Sequence, residues 1–335
     1  MLNNKNILIT GGTGSFGRAF IKIIISRFKK IGKLVILSRD ELKQSELKAI
    51  YPEKKYPFIR FFLGDIRDYQ RLLRALDGID IVVHAAALKQ VPAAENDPFE
   101  FIKTNIIGSQ NLIEACFERG IKNVVALSTD KAAAPINLYG ATKLCADKLF
   151  SSANNIKGNR NIKFSVVRYG NVFGSRGSVI PLFLEANFKK ELFKVTDIKM
   201  SRFNISLKDA VEAVLWTLQN SFGGEIIIPK ISSYKILDLV KAINNKAKII
   251  ITGIRPGEKI YEEMITEHDS ETAYDLGKYY AIINPSNPNL IEKYKKYKKF
   301  PVGKSYNSRD NKSFLKTTEI KSLIQQYIKN KEFNL

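Results

Sequence analysis

The chain has 335 residues, 44% hydrophobic and 26% charged, the usage of an ordinary globular protein, which excludes disordered and fibrous classes. No apolar run approaches the roughly 20 residues that cross a bilayer, and the N-terminus leads straight into a strand pattern, so a cytoplasmic protein without a membrane span is expected. A formal net charge of +21 points to polyanionic partners, yet residues 286–335 carry only 12 Lys/Arg against 4 Asp/Glu, so the excess is spread along the chain and no specific nucleic-acid partner is expected.

In chain order, Asn6 to Thr10, Lys33 to Ser38, Phe58 to Leu63, Ile79 to His84, Asn123 to Leu127 and Phe164 to Arg168 read as buried strands. Helices are expected between them near Phe16–Phe28, Asp68–Leu76, Pro98–Arg119 and Leu138–Ser152. This alternation predicts an α/β fold, a doubly wound Rossmann-type parallel sheet. After residue 172 the pattern loosens: Gly174, Gly177 and Pro181 mark a long irregular connection, and helices near Leu207–Gln219 and Ile236–Asn244 alternate with short strands. The expected division is 1–172 as the dinucleotide-binding domain, with later chain returning to it, 173–285 mainly as a smaller α/β substrate-binding lobe, and 286–335 as a basic extension ending in a helix around Thr317–Ile328. Cys116 and Cys145 form no Cys-x-x-Cys pair and both fall in segments that read as buried helix, which excludes a disulfide framework. With His84 and His268 the only histidines and no clustered ligand spacing, no metal site is expected.

The first strand runs into Gly11, Gly12, Thr13, Gly14, Ser15, Phe16 and Gly17, a Gly-x-x-Gly-x-x-Gly turn at the mouth of an apolar helix. Glycines there allow a sharp turn and close approach to a pyrophosphate facing the helix N-terminus. At the end of the second strand, Arg39 with Lys43 close by suits the 2′-phosphate of NADP, while Asp40 keeps NAD open. Asp65 and Ile66 follow the third strand, where Asp65 is placed to cap the adenine side, and Ala85 and Ala86 close the fourth with side chains small enough for a cofactor to lie against. Plain core packing would be satisfied by the same alanines. Tyr139 and Lys143 stand four apart on one helical face, where a cation is expected to pull the phenol towards working pH. They follow a strand ending Ser128-Thr129-Asp130-Lys131, and ligands bind at the carboxyl ends of such strands.

The glycine turn, Ser128-Thr129-Asp130-Lys131 and Tyr139-x-x-x-Lys143 resemble the extended short-chain dehydrogenase/reductases. Within them the likeness is greatest to the inverting UDP-N-acetylglucosamine 4,6-dehydratases of pseudaminic acid biosynthesis, and extends through Ala85 to Pro92, Arg168 to Val172, Gly174 to Ser178 and Arg255 to Lys259. The resemblance implies a UDP-sugar substrate, an NADP cofactor and a homo-oligomer. It implies that Tyr139 takes the C4 hydroxyl proton and Thr129 holds that oxygen. Lys131, its pKa lowered by burial and by Lys143, would accept the C5 proton, and Asp130, kept protonated, would protonate the departing C6 hydroxyl. Arg176, Arg202 and Arg255 would grip the diphosphate, with Asn171 and Glu258 as polar anchors and Lys89 on the sugar or nicotinamide side. Two departures stand out: Ala134 occupies a position where the family commonly has asparagine, and Asn204 one where it has an aromatic. The rival readings are a C5-retaining dehydratase, a UDP-sugar 4-epimerase, which would not need Asp130 and Lys131, and a non-catalytic NADP- or RNA-binding protein.

Overall fold

The computed structural model describes residues 2–175 and 177–332. Its first half alternates strand and helix: β1 (Asn6–Thr10), α1 (Ser15–Arg27), β2 (Lys33–Ser38), α2 (Glu41–Ile50), β3 (Ile59–Leu63), α3 (Tyr69–Ala75), β4 (Ile81–His84), α4 (Val91–Asn96), α5 (Pro98–Phe101), a π-helical stretch Ile102–Ile107, α6 (Gly108–Glu118), β5 (Asn123–Thr129), α7 (Leu138–Ile156) and β6 (Lys163–Tyr169). These six strands pair in parallel in the order β3-β2-β1-β4-β5-β6, so the winding reverses between β1 and β4 and a crevice opens at the carboxyl ends there. This is the doubly wound fold expected from the sequence. Leu8, Val35, Leu37 and Val82 enter one core while Ile7, Ile9, Leu34, Ile36 and Val83 enter another. Burial on both faces is why the strands read as unbroken apolar runs rather than alternating ones.

The second half contributes β7 (Asn171–Val172), α8 (Val179–Phe188), β8 (Phe193–Val195), β9 (Ser201–Ile205), α9 (Leu207–Asn220), β10 (Ile226–Pro229), β11 (Ser233–Lys235), α10 (Ile236–Ile243), β12 (Ile249–Ile251), β13 (Glu263–Ile265), β14 (Ala273–Asp275), β15 (Tyr279–Ile282), α11 (Pro288–Tyr294), β16 (Lys298–Lys299), β17 (Tyr306–Asn307) and α12 (Thr317–Glu332). Strand β10 joins the main sheet parallel to β6, and β15, β14 and β16 extend it antiparallel. The remaining strands form three small sheets, β11-β9-β7, β12-β8 and β13-β17. Residues of α8, α10 and α12 share a separate apolar cluster around Phe183, Leu239, Ile320 and Ile324, so the basic C-terminal stretch closes this second core.

Two expectations need correction. The connection after Gly177 becomes helical at Val179, and Pro181 sits in the first turn, where its missing N–H removes no intrahelical bond. Cys116 is buried, but Cys145 points outward from α7 and is exposed, because its neighbours Lys143 and Ala146 take the inward positions. Among the described residues no group of three or more metal-ligating side chains occurs, and no helix is long and apolar enough to cross a membrane.

Candidate active site

At the end of β1 the chain turns through Gly11 at φ 65°, and a Cβ there would meet the Ala86 nitrogen at 2.8 Å. A Cβ on Gly17 would fall 2.3 Å from the Gly12 oxygen, so α1 can pack onto the turn only without one. Gly14 is the N-cap of α1 and provides no side-chain cap, leaving the first N–H groups of the helix to serve an anion. This turn opens into a cavity of about 650 Å³. Gly11, Thr13, Gly14, Ser15, Phe16, Gly17, Arg39, Asp40, Lys43, Ile66, Ala85, Ala86 and Lys89 line it, and so do Thr129, Asp130, Lys131, Tyr139, Lys143 and Asn171. The expected dinucleotide side and the expected reacting side therefore share one continuous space. A nicotinamide dinucleotide fits these residues: the glycine cradle has no room for Cβ atoms, and Thr104, Asn171 and Ser178, all on the cavity wall, each carry a buried side-chain oxygen with no partner among the described residues.

Asp65, Arg202, Arg255 and Glu258 do not line the cavity, and Arg176 lies outside the described residues. Asp65 instead pairs with Arg67 at 2.8 Å and with Arg39 at 3.4 Å, steadying the arginine at the end of β2. Asp40 caps α2 by accepting the Lys43 N–H at 2.9 Å, and its carboxylate also takes the Lys43 ammonium.

The wall formed by residues 84–89 is fixed from behind by residues that the sequence did not single out. Thr10 Oγ1 accepts the N–H groups of Ala85 and Ala86, both at 3.1 Å, so its own proton goes to His84 Nδ1 at 2.8 Å. His84 therefore carries its proton on Nε2, facing Ser109 Oγ at 3.4 Å, and Ser109 donates to the Asn105 carbonyl. Asn105, in the π-helical stretch, accepts from the Leu88 N–H and donates to the Leu88 carbonyl and to Thr142 Oγ1 on α7. One buried amide thus ties the cofactor wall to the helix bearing Tyr139.

Strand β5 delivers Thr129 at its end, and a 3-10 turn over Asp130–Ala132 follows. Helix α7, capped by Asn137 on the Gly140 N–H at 2.7 Å, starts against that turn. A Cβ on Gly140 would lie 2.3 Å from the Lys131 oxygen, so the glycine after Tyr139 is what lets the two segments touch. Burial raises the Tyr139 phenol to about 12, against the opposing pull of the Lys131 charge and the Thr129 hydroxyl. The sequence expectation that Lys143 lowers this phenol is not met here: Lys143 Nζ donates to the Leu127 carbonyl at 2.7 Å, and burial lowers its own pKa.

Lys131 Nζ lies 3.0 Å from Asp130 Oδ1 and 3.0 Å from Glu262 Oε1. Burial draws the lysine down, but two flanking carboxylates reverse this and hold it above its ordinary value, contrary to the lowered pKa expected from sequence. Asp130 moves up, chiefly through burial, in the direction a proton donor needs, and its Oδ2 has no partner among the described residues. Burial would likewise raise Glu262, yet Lys131 and Arg202 bring it below the usual carboxylate range. Glu262 was missed because it stands 131 positions after Lys131 beside a second glutamate, with no local spacing to mark it.

On β9 Arg202 is buried and donates to the carbonyls of Ser201, Lys259 and Ile260, while Glu258 lies 3.5 Å from Arg202 and 3.0 Å from the exposed Arg255. Two of the arginines expected to serve the diphosphate are thus brought together, with the polar anchor Glu258 between their guanidinium groups.

A crevice at the winding reversal, built on a glycine turn and running on to a buried tyrosine beside the end of β5, places the protein among the short-chain dehydrogenase/reductase-like α/β proteins. Over residues 7–284 the chain matches the polysaccharide biosynthesis protein family, and it belongs to that family. It is 49% identical over 333 residues to a UDP-N-acetylglucosamine 4,6-dehydratase (inverting) of Campylobacter jejuni, covering 97% of this chain and 98% of that one. A UDP-glucose 4-epimerase of Rickettsia bellii is 39% identical over 351 residues, covering 98% of this chain and all of the relative. The solved structure of Pen from Bacillus thuringiensis superposes with a TM-score of 0.88 at 36% identity, covering 97% and 98% of the two chains.

Proposed function

We propose that the protein is a UDP-N-acetylglucosamine 4,6-dehydratase that inverts C5 and uses NADP. The observation that carries this reading is the placement of Asp130 and Lys131 beside Tyr139 on one cavity wall. An epimerase needs the tyrosine alone; a dehydratase also needs an acid and a base. The 49% identity to a relative named as the inverting dehydratase supports the choice over the 4-epimerase named at 39%.

A nicotinamide held by the glycine turn supplies the oxidising and reducing power of the cycle. Tyr139 takes the proton of the C4 hydroxyl as C4 becomes a ketone, a role that needs the Lys131 charge, the Thr129 hydroxyl and the positive charge a bound nicotinamide would add to offset the burial that holds its phenol up, and Thr129 holds that oxygen. The ketone acidifies C5, whose proton passes to Lys131 while Asp130 gives its proton to the departing C6 hydroxyl. Return of a proton to the opposite face of C5 inverts that centre. Arg39, exposed at the end of β2 and steadied by Asp65, is the group for a 2′-phosphate, while the Asp40 carboxylate is engaged as a helix cap. Lys89 serves the sugar or nicotinamide side, Arg202 and Arg255, with Arg176, the diphosphate, and Asn171 and Glu258 are polar anchors, Glu258 by pairing with both Arg202 and Arg255. The assembled enzyme is proposed to be a cytoplasmic homo-oligomer supplying pseudaminic acid biosynthesis.

Mass spectrometry of UDP-N-acetylglucosamine incubated with the purified protein tests the activity. Loss of one water supports the dehydratase; an isomer of unchanged mass would replace it with an epimerase. NADP protecting against thermal unfolding more strongly than NAD, with the difference removed in Arg39→Ala, is expected; equal protection by both would contradict the cofactor choice.

A further inference from the structure

The chemistry above leaves Glu262 without a task. Its side chain is almost fully buried, does not line the cavity and so does not touch the sugar, yet its Oε1 is 3.0 Å from Lys131 Nζ. Its backbone is pinned: the Glu262 N–H donates to Ser308 Oγ at 3.0 Å and its carbonyl accepts the Ser308 N–H at 2.8 Å. Its Oε2 is buried with no partner among the described residues, so the anion is incompletely satisfied.

Lys131 between two acids is an ammonium, and an ammonium takes no proton from C5. Asp130 cannot relieve it, because Asp130 must keep its own proton for the C6 oxygen. A second acceptor is required. We infer that Glu262 takes the Lys131 ammonium proton and so frees the amine to act at C5, an inference that rests on the dehydratase reading. The Lys131 N–H bond breaks and an O–H bond forms on Glu262, leaving a neutral amine and a neutral carboxyl. The amine then accepts the C5 proton as the C6–O bond breaks with the proton of Asp130, so water leaves and the charge of the site is unchanged. The cycle closes when C6 takes back the hydride that a bound nicotinamide would hold, C5 takes a proton from solvent on its opposite face, and the proton on Glu262 passes to Asp130, which restores the carboxylate, the ammonium and the neutral acid. The other groups facing the pair are Asp130, the cations Arg202 and Lys259, and the phenols of Tyr139 and Tyr234. Entry of the sugar expels water, and a dry site favours the neutral pair over the ion pair.

Glu262 acts through Lys131, so it is a positioning residue and its signature is a pH profile. In the wild type the proton moves internally and kcat for water loss from UDP-N-acetylglucosamine is flat around neutral pH. In Glu262→Gln the amide still accepts a hydrogen bond from Lys131 but takes no proton, which must then leave to water. We expect kcat to fall about 100-fold at neutral pH and to climb nearly tenfold per pH unit, with KM within about threefold of wild type. Glu262→Asp restores the flat profile. A Gln variant with wild-type kcat and a flat profile overturns the inference while leaving the dehydratase reading intact. Equal losses in Gln and Asp variants with flat profiles overturn it in favour of packing alone. Failure of the wild-type protein to release water from the substrate overturns both.

Discussion

At the scale of single residues, the phenol of Tyr139 is the group whose loss is most informative. Its hydroxyl neighbours Thr129 and Lys131, and removing one oxygen leaves its packing against Ala94 and Phe101 intact. Tyr139→Phe is expected to lower kcat by about 10²–10⁴ with an unchanged melting temperature; retained turnover would remove Tyr139 from the chemistry. His84 makes a separate prediction about stability. Burial, with Lys143 nearby, lowers its folded pKa to about 3 from an ordinary 6.5. Between those values the unfolded chain binds a proton that the folded protein does not, so stability falls as pH drops through the window, by about 1.4 kcal/mol per unit. Denaturant titrations from pH 6.5 downwards should show that slope, less steep in His84→Gln. Ala134 is the third case. It stands exposed at φ 43°, a left-handed backbone that alanine tolerates poorly and asparagine better, which gives a physical reason for the family's asparagine at this place. Ala134→Asn should raise stability by roughly 0.5–1 kcal/mol with no change in denaturant m-value.

At the scale of elements, the π-helical stretch Ile102–Ile107 interrupts what the apolar period presents as one helix from Pro98 to Arg119. A single extra residue in the turn leaves the 3.6 period nearly intact, which is why the sequence shows no break. The stretch carries Asn105, whose amide holds both polar groups of Leu88 and the Thr142 hydroxyl. Asn105→Ala should cost about 1–3 kcal/mol for each buried group left unpaired, and weaken nicotinamide dinucleotide binding by loosening the wall at Ala85 and Ala86; unaltered denaturation and affinity would contradict this link. Elements were legible in proportion to their burial. The strands β1, β2, β4, β5 and β6 announced themselves as largely apolar runs because both faces are covered, whereas the edge strand β3 leaves Arg60 and Leu63 exposed. Helix α2 was missed because only Gln44 and Leu47 of its ten residues are buried, so little apolar period reaches the sequence. Helix α8 was masked by Pro181 and by apolar residues on all sides, among them Leu182 and Phe188 left exposed.

At the scale of the whole molecule, the site is assembled by topology. Gly11, Arg39, Asp130 and Tyr139 were legible because each lies at a strand end or helix start whose place in a doubly wound sheet is known in advance. Glu262, Ser308 and Asn105 were not, because their roles come from contacts across long stretches of chain. The electrostatics were the least legible part. Spacing foretold that Tyr139 and Lys143 would share one helical face, but not that Lys143 would turn to a backbone carbonyl or that two carboxylates would hold Lys131 charged. The central claim is that Asp130 and Lys131 carry out an elimination that inverts C5. NMR of the product formed from UDP-N-acetylglucosamine in deuterated water tests it directly: deuterium at C5 with the inverted L-arabino configuration, abolished in Lys131→Ala, is the result this account predicts, and deuterium at C5 with the original configuration kept would contradict it.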